Sequence, residues 1–278
     1  MELSWIKSCI FGLLSGLLDI LPVSAQAHSI LLLKFFGLKS SSDFMNLLIH
    51  IGVFAALYYS SQAHLVRMNR ARALARVPKR KRKRPLDTRS MMDWSMLKTM
   101  MVPAVLGVYF RKYTSALNTN LMLISLFLFL NGVILYLPQF FPTSNRDSRT
   151  LSRVEGILMG LGGMASAVPG ISAIGVTTSV ASVCGVDRTY GLNMAVMMNM
   201  AITAGLIIYD FLGIVSNGIG VLSLMILIRY LFSAAAAFGG VTLGVKLMRK
   251  LAAEQGFSVF GVYCWGLALF TFILNLIA

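Results

Sequence analysis

Apolar residues run in long stretches along this chain, and the polar positions that interrupt them fall in a recurring order. Residues 5–20 and 24–36 are each apolar, with Pro22 between them. A bilayer crossing takes about 20 apolar residues, so two shorter halves broken at a proline predict a re-entrant hairpin rather than a span. Residues 44–59 predict the first span, with His50 inside it and Tyr58 and Tyr59 as an interfacial belt. Residues 96–110, which contain Pro103, and 121–137, closed by Pro138 and Pro142, predict two more.

The order then repeats. Residues 154–183 are rich in Gly, Ala and Ser and break at Pro169-Gly170, which predicts a second hairpin; residues 192–209, 221–245 and 257–277 predict three further spans. Adding 148 to the landmarks of the first hairpin takes Gly12 to Gly160, Ser24 to Ser172 and Gly37 to Gly185, and brings Pro22 within one residue of Pro169. The pattern predicts an all-α polytopic membrane protein of about six transmembrane helices and two re-entrant half-helix hairpins. It forms a single membrane domain of two repeats, residues 5–138 and 154–277. Because each repeat holds three crossings, an odd number, the second is inverted relative to the first. Paired broken segments of this kind point to a binding site near the midplane.

Composition agrees, with 57% apolar and 13% charged residues and a mean hydropathy of +0.76; soluble domains carry about a quarter charged residues. Cys9, Cys184 and Cys264 are far apart in apolar stretches and suggest neither a metal site nor disulfides. The net charge of +15 is concentrated. Between Arg67 and Arg89 there are eleven Lys or Arg against one acid, Asp87, within a loop expected over residues 61–95. By the positive-inside rule residues 67–89 face the cytoplasm, together with Arg146, Arg149 and Arg153 and with Lys246, Arg249 and Lys250. Both termini then lie outside, and only Arg111 and Lys112 argue mildly against that placement. No aromatic or base-reading pattern accompanies the basic run, which argues for contact with the bilayer and against nucleic acid.

Within the first hairpin stand Gly12, Ser15, Gly16, Asp19, Leu21-Pro22-Val23-Ser24 and His28; within the second, Pro169-Gly170, Ser172 and Thr177, followed by Gly185-Val186 and Arg188. This arrangement resembles the bacterial undecaprenyl-pyrophosphate phosphatase family, of the bacitracin-resistance type, over nearly the whole chain. The resemblance implies a multi-pass protein of the bacterial inner membrane. Its substrate would be a polyprenyl phosphate or pyrophosphate, the carrier lipid of peptidoglycan synthesis. It also implies acids and a hydroxyl or histidine at the reacting phosphorus, and an arginine neutralising the phosphate oxygens.

The sequence departs from that family at several motif positions. Ser15 stands at the first of two glutamates and Asp19 at the second, Ala25 replaces the second serine of a pair, and Ala173 and Ile174 replace an arginine and a serine. A phosphate-neutralising arginine can be worth factors of about a thousand in phosphoryl transfer, and alanine cannot supply its charge. The resemblance leaves Asp19 and His28 as candidate catalytic groups, and Ser24, Ser172, Thr177, Gly170 and Arg188 as candidate phosphate contacts. Asp19 is also a candidate ligand for the Mg²⁺ or Ca²⁺ that hydrolysis would use, though one carboxylate is a poor cage. Ser24, Ser172 and Thr177 can equally cap the half-helices, and His50 and Asn131 read as interhelical hydrogen-bonding residues. The expected function is binding or translocation of the polyprenyl carrier with impaired hydrolysis; the alternative is an active diphosphatase with a variant site.

Overall fold

The computed structural model describes residues 4–38, 40–142, 145–218, 223–254 and 257–277. Ten α-helices are found among them: α1 (Trp5–Ile20), α2 (Ala25–Phe35), α3 (Asp43–Ala75), α4 (Thr88–Thr114), α5 (Leu121–Tyr136), α6 (Arg153–Met164), α7 (Ala173–Val183), α8 (Arg188–Asn217), α9 (Leu224–Glu254) and α10 (Ser258–Ile277). Short polar side chains start most of them. Ser4, Ser24, Ser42, Asp87, Asn120, Ser152, Ser172 and Asp187 each accept a backbone N–H of the first turn, which satisfies a donor that the helix itself leaves unpaired. At Ser152 the cap is reciprocal, because the Glu155 side chain accepts from the Ser152 N–H at 2.7 Å.

The hairpin helices are short, 16 and 11 residues for α1 and α2 and 12 and 11 for α6 and α7. At 1.5 Å per residue none reaches the roughly 30 Å of a hydrocarbon core. Five helices are long and apolar enough to cross: α3, α5 with its continuation to Phe140, α8, α9 and α10. The sixth expected span lies in α4, whose 27 residues exceed the thickness required. It is more polar than the others, and α6 and α8 pack along it. The molecule is thus an all-α polytopic membrane protein, with an outer surface of large apolar side chains such as Val102, Phe211 and Leu269.

Several boundaries differ from the sequence expectation, including the start of α4 at Thr88 rather than residue 96 and the end of α9 at Glu254 rather than residue 245. The helix predicted to end near Tyr59 continues as α3 to Ala75, so the basic connection is confined to residues 76–87, with a 3₁₀ turn at Lys79–Lys81. The added residues are mostly Ala, Leu, Met, Gln and Arg, strong helix formers for which charge is no obstacle. Likewise α8 extends eight residues past Tyr209, to Asn217. The first residues of the predicted 221–245 span, and Thr143 and Ser144 of the second basic loop, lie outside the described residues.

Packing exchanges between the halves. Helix α1 lies along α9 and α6 along α4, α3 packs on α8 and α5 on α10, so the pairing is unchanged when the first five helices are swapped with the last five. Glycines permit the closest of these approaches. A Cβ on Gly12 or Gly16 would strike the Ser233 or Ala237 carbonyl of α9, and one on Gly160 would strike Met100 and Pro103 of α4. These are small-xxx-small faces of the kind that bring membrane helices together.

The three basic segments gather at one end of the molecule. Ser148 donates to Asp93 at 2.5 Å, Arg89 lies 3.4 Å from Asp147, and Arg249 donates to the Ser60 carbonyl at 3.0 Å. Arg146 anchors its loop there, donating to Glu155 at 2.8 Å and to the Cys184 carbonyl at 2.6 Å.

Candidate functional site

The two hairpin tips meet in the protein interior. Ser24 Oγ accepts from the Gly170 N–H at 3.0 Å, and the Ser172 hydroxyl donates to the Leu21 carbonyl at 3.4 Å. Asn131 of α5, fully buried, holds both tips: its Nδ2 donates to the Pro22 carbonyl at 3.0 Å and its Oδ1 accepts from the Ser172 N–H at 3.0 Å. Breaking two helices at depth frees backbone groups that lipid cannot satisfy, and this amide satisfies one on each side. Ser24 has a φ of 62°, and it is the one non-glycine residue with positive φ among the described residues. Such a conformation costs about 1–3 kcal/mol and persists where surrounding bonds determine it.

Beside the tips lies a cavity of about 460 Å³, within the size range of small-molecule sites. Ser15 and Asp19 of α1, Gln26 and Ser29 of α2, Asp43, Asn46 and His50 of α3, Arg111 of α4, Asn199 and Asp210 of α8, and Ser172 and Ala173 at the second tip line its polar part. Phe11, Ile30, Leu33, Ile49, Val53, Ile202 and Leu206 line the rest, so the walls suit an amphiphile. The cavity uses the beginning of α3 with the ends of α4 and α8, and therefore lies toward the end opposite the basic loops.

Its ionisable groups act on one another. His50 Nδ1 and Asp210 Oδ2 are 2.5 Å apart, and Asn199 Nδ2 donates to Asp19 Oδ2 at 2.7 Å. The partly buried Arg111 guanidinium is close enough to interact with Asp210, Tyr209 and Asp19. Ser15 Oγ and Gln26 Oε1 are buried without a hydrogen-bond partner among the described residues. Both line the cavity. An unsatisfied buried polar atom costs about 1–3 kcal/mol, so these two are suited to a polar occupant.

The residues singled out from sequence are divided by this geometry. Asp19 and Ser172 line the cavity, as do Ser15, Ala25 and Ala173 at the altered motif positions. The hydroxyls of Ser24 and Thr177 are engaged elsewhere, the first by Gly170 and the Ala27 N–H, the second donating to the Met159 carbonyl at 3.0 Å. His28 is outside the cavity lining; its Nδ1 meets the Ser24 carbonyl at 2.8 Å and its Nε2 the Tyr263 hydroxyl at 2.8 Å. Gly170 has φ 112° and packs on Phe127 and Leu128, a close approach that requires glycine. Arg188 begins α8, near the basic end of the molecule and away from the cavity.

Three cavity groups were not picked out from sequence as site residues. Arg111 read as an interfacial charge, Asp210 fell just past the end of an apolar stretch, and His50 read only as an interhelical contact. The available signal was an ionisable residue at membrane depth, which is a functional candidate by default. Among the described residues no three His, Cys, Asp or Glu side chains are grouped closely enough to hold a metal ion. Hard divalent cations want six or more oxygen ligands, or substrate phosphates to complete the shell, so this donor set does not fit a resident cation.

The family described as "Bacitracin resistance protein BacA" matches residues 8–270 of the chain. Similar proteins include an "Undecaprenyl-diphosphatase" of Methanobrevibacter smithii, 26% identical, with 96% of each chain covered. Another of that name, from Desulforapulum autotrophicum, is 23% identical over 98% of this chain and 99% of its own. "Undecaprenyl-diphosphatase 1" of Shouchella clausii is 24% identical over 98% of this chain and 96% of its own.

Proposed function

We propose, from the premise that the chain belongs to the bacitracin resistance protein BacA family, that it is an undecaprenyl-diphosphatase working through a re-sited set of groups. The observation that carries this reading is Arg111: a guanidinium from α4 enters the same cavity as Ala173, the position from which the motif arginine is missing. Charge stabilisation depends on where a cation sits, not on which helix delivers it. The polyprenyl chain would lie against the apolar wall of Phe11, Leu33 and Ile202, and the diphosphate would face Arg111.

Hydrolysis then needs a proton acceptor near the attacking water. His50 has Nδ1 turned to Asp210, which orients the ring, and Nε2 remains to take the proton. Asp19, held by Asn199, orients the water. The water oxygen bonds to the terminal phosphorus as the P–O bond to the bridging oxygen breaks. Inorganic phosphate and the polyprenyl monophosphate leave. With the basic end in the cytoplasm, following the positive-inside rule, the termini and the cavity mouth face outward from the inner membrane.

The test is phosphate release from undecaprenyl pyrophosphate by the purified protein. The unaltered chain turns over, Arg111→Gln lowers the rate by about a thousandfold, and adding Ala173→Arg to that variant restores part of the loss. The altered motif positions Ser15, Ala25 and Ala173 support a second reading, binding or translocation without hydrolysis. Tight binding of the lipid with no phosphate release at any pH would favour that reading.

A further inference from the structure

The internal exchange of halves raises a question about the other end of the paired helices α3 and α8. The main cavity lies where α3 begins and α8 ends; where α3 ends and α8 begins there is a second cavity, of about 160 Å³. One water needs only about 10–15 Å³ of such space, so there is room for a hydrated anion. We propose that this cavity, bounded by Arg67 of α3, Arg89 of α4 and Tyr190 and Asn193 of α8, binds a phosphate monoester group at the basic pole of the molecule.

The donors are suited to it. Arg67 makes no ion pair with an acid among the described residues; its Nη2 lies 2.9 Å from His64 Nδ1, which leaves the rest of the guanidinium fork toward the cavity. Planar forks of this kind match phosphate oxygens bidentately. Arg89 is 57% exposed in its side chain and only 3.4 Å from Asp147, so it can turn between that partner and an anion. Arg249 donates to Asn193 Oδ1 at 3.3 Å, which points the amide donors of Asn193 away from it.

The two acids at the cavity are already engaged. Asp87 caps α4, accepting from the Ser90 N–H at 3.0 Å and its hydroxyl at 2.6 Å. Asp93 accepts from Ser148 at 2.5 Å and from the Tyr190 hydroxyl at 2.9 Å. Two guanidiniums thus line the cavity with two committed carboxylates, a third, Arg249, stands behind it on Asn193, and the run Lys79 to Arg84 lies in the adjoining connection. The resemblance to the first cavity extends to residue types: Asn46 and Asn193 both stand within the first two turns of their helices, and Arg111 and Arg249 both stand near the ends of exchanged helices.

A phosphate monoester can be inorganic phosphate or a lipid headgroup, and titrations of the full chain in neutral phosphatidylcholine nanodiscs separate them. Inorganic phosphate and farnesyl monophosphate are each added to Arg111→Gln protein, which removes the main cavity's cation, and to the same protein carrying Arg67→Gln. We expect binding that persists with Arg111→Gln and weakens at least tenfold on adding Arg67→Gln, with Arg67→Lys intermediate. Response to inorganic phosphate identifies a free-anion site; response to farnesyl monophosphate alone identifies a headgroup site. Binding of neither ligand, or binding indifferent to Arg67→Gln in protein that remains monodisperse, overturns the proposal. Arg111→Gln that leaves phosphate release unchanged would count against the proposed diphosphatase chemistry and not against this second cavity.

Discussion

His50 Nδ1 and Asp210 Oδ2 lie 2.5 Å apart, joining the first half of α3 to the last third of α8 across the floor of the main cavity. The Asp210 side chain is only 7% exposed and His50 22%. Removing the imidazole alone leaves a carboxylate with little water to solvate it, a loss of about 3–5 kcal/mol for buried pairs in general. We expect His50→Leu to lower thermal stability in detergent more than His50→Leu combined with Asp210→Leu does. A loss in the double variant equal to the sum of the two single-variant losses would show that the two residues act independently. Both variants should lose phosphate release.

Asn131 provides a second test, because one amide serves both hairpin tips. Asn131→Leu keeps the volume but strands the Pro22 carbonyl and the Ser172 N–H, each costing about 1–3 kcal/mol. The expected result is a drop in melting temperature together with faster proteolysis at residues 21–24 and 168–172. Wild-type resistance at both tips would show that Asn131 is not what joins them.

The packing of α1 on α9 should tolerate no side chain at Gly16. A Cβ there meets the Ala237 backbone, which cannot rotate away as a side chain can. Overpacking typically costs about 1–3 kcal/mol, so Gly16→Ala is expected to destabilise by at least that range and Gly16→Leu to prevent folding. Gly266, whose Cβ would meet nothing within 4 Å, is the control: Gly266→Ala should be neutral or slightly stabilising. The comparison is made by chemical denaturation in one detergent.

At the basic end, hydrogen bonds from the Arg149 guanidinium hold the Asp147 carboxyl below the usual carboxylate range. A depressed folded-state pKa means that the unfolded chain takes up the proton first as pH falls. The stabilisation is therefore complete above the ordinary value of about 3.9 and disappears as pH drops through the lower, folded value. Asp147→Asn should speed hydrogen exchange in residues 145–152 at neutral pH, and the difference should shrink as pH falls below the ordinary carboxylate range. Because Arg149 is 62% exposed in its side chain, the effect should shrink in high salt.

The hairpins were legible because prolines and their repeat leave a mark in the linear order, and a re-entrant turn needs that mark. The continuation of α3 to Ala75 was not, since positive residues read as a loop although most of those between Ser60 and Ala75 favour helix. At the site, Asp19 could be picked out as an acid inside an apolar segment. His28 could be picked out on the same ground, but its position on α2 turns it to Tyr263 rather than the cavity. Arg111 and Asp210 lie far apart in sequence on helices whose pairing nothing local announces, so only the packing of α4 against α8 brings them together.

The exchange of partners between halves also bears on how the chain is made. Helix α1 leaves the ribosome early, yet the surface built to receive its glycines belongs to α9, which begins at Leu224. Until then the first hairpin must wait in the membrane with its capped tip and glycine face uncovered, a non-local contact of the kind that slows assembly and exposes intermediates. The second hairpin has no such delay, because α4 precedes α6. Biogenesis should therefore be lopsided in time even though the finished architecture is balanced in space. Of the two hairpins the one synthesised first would be the later to lock, and the one more in need of an insertase or chaperone while it waits.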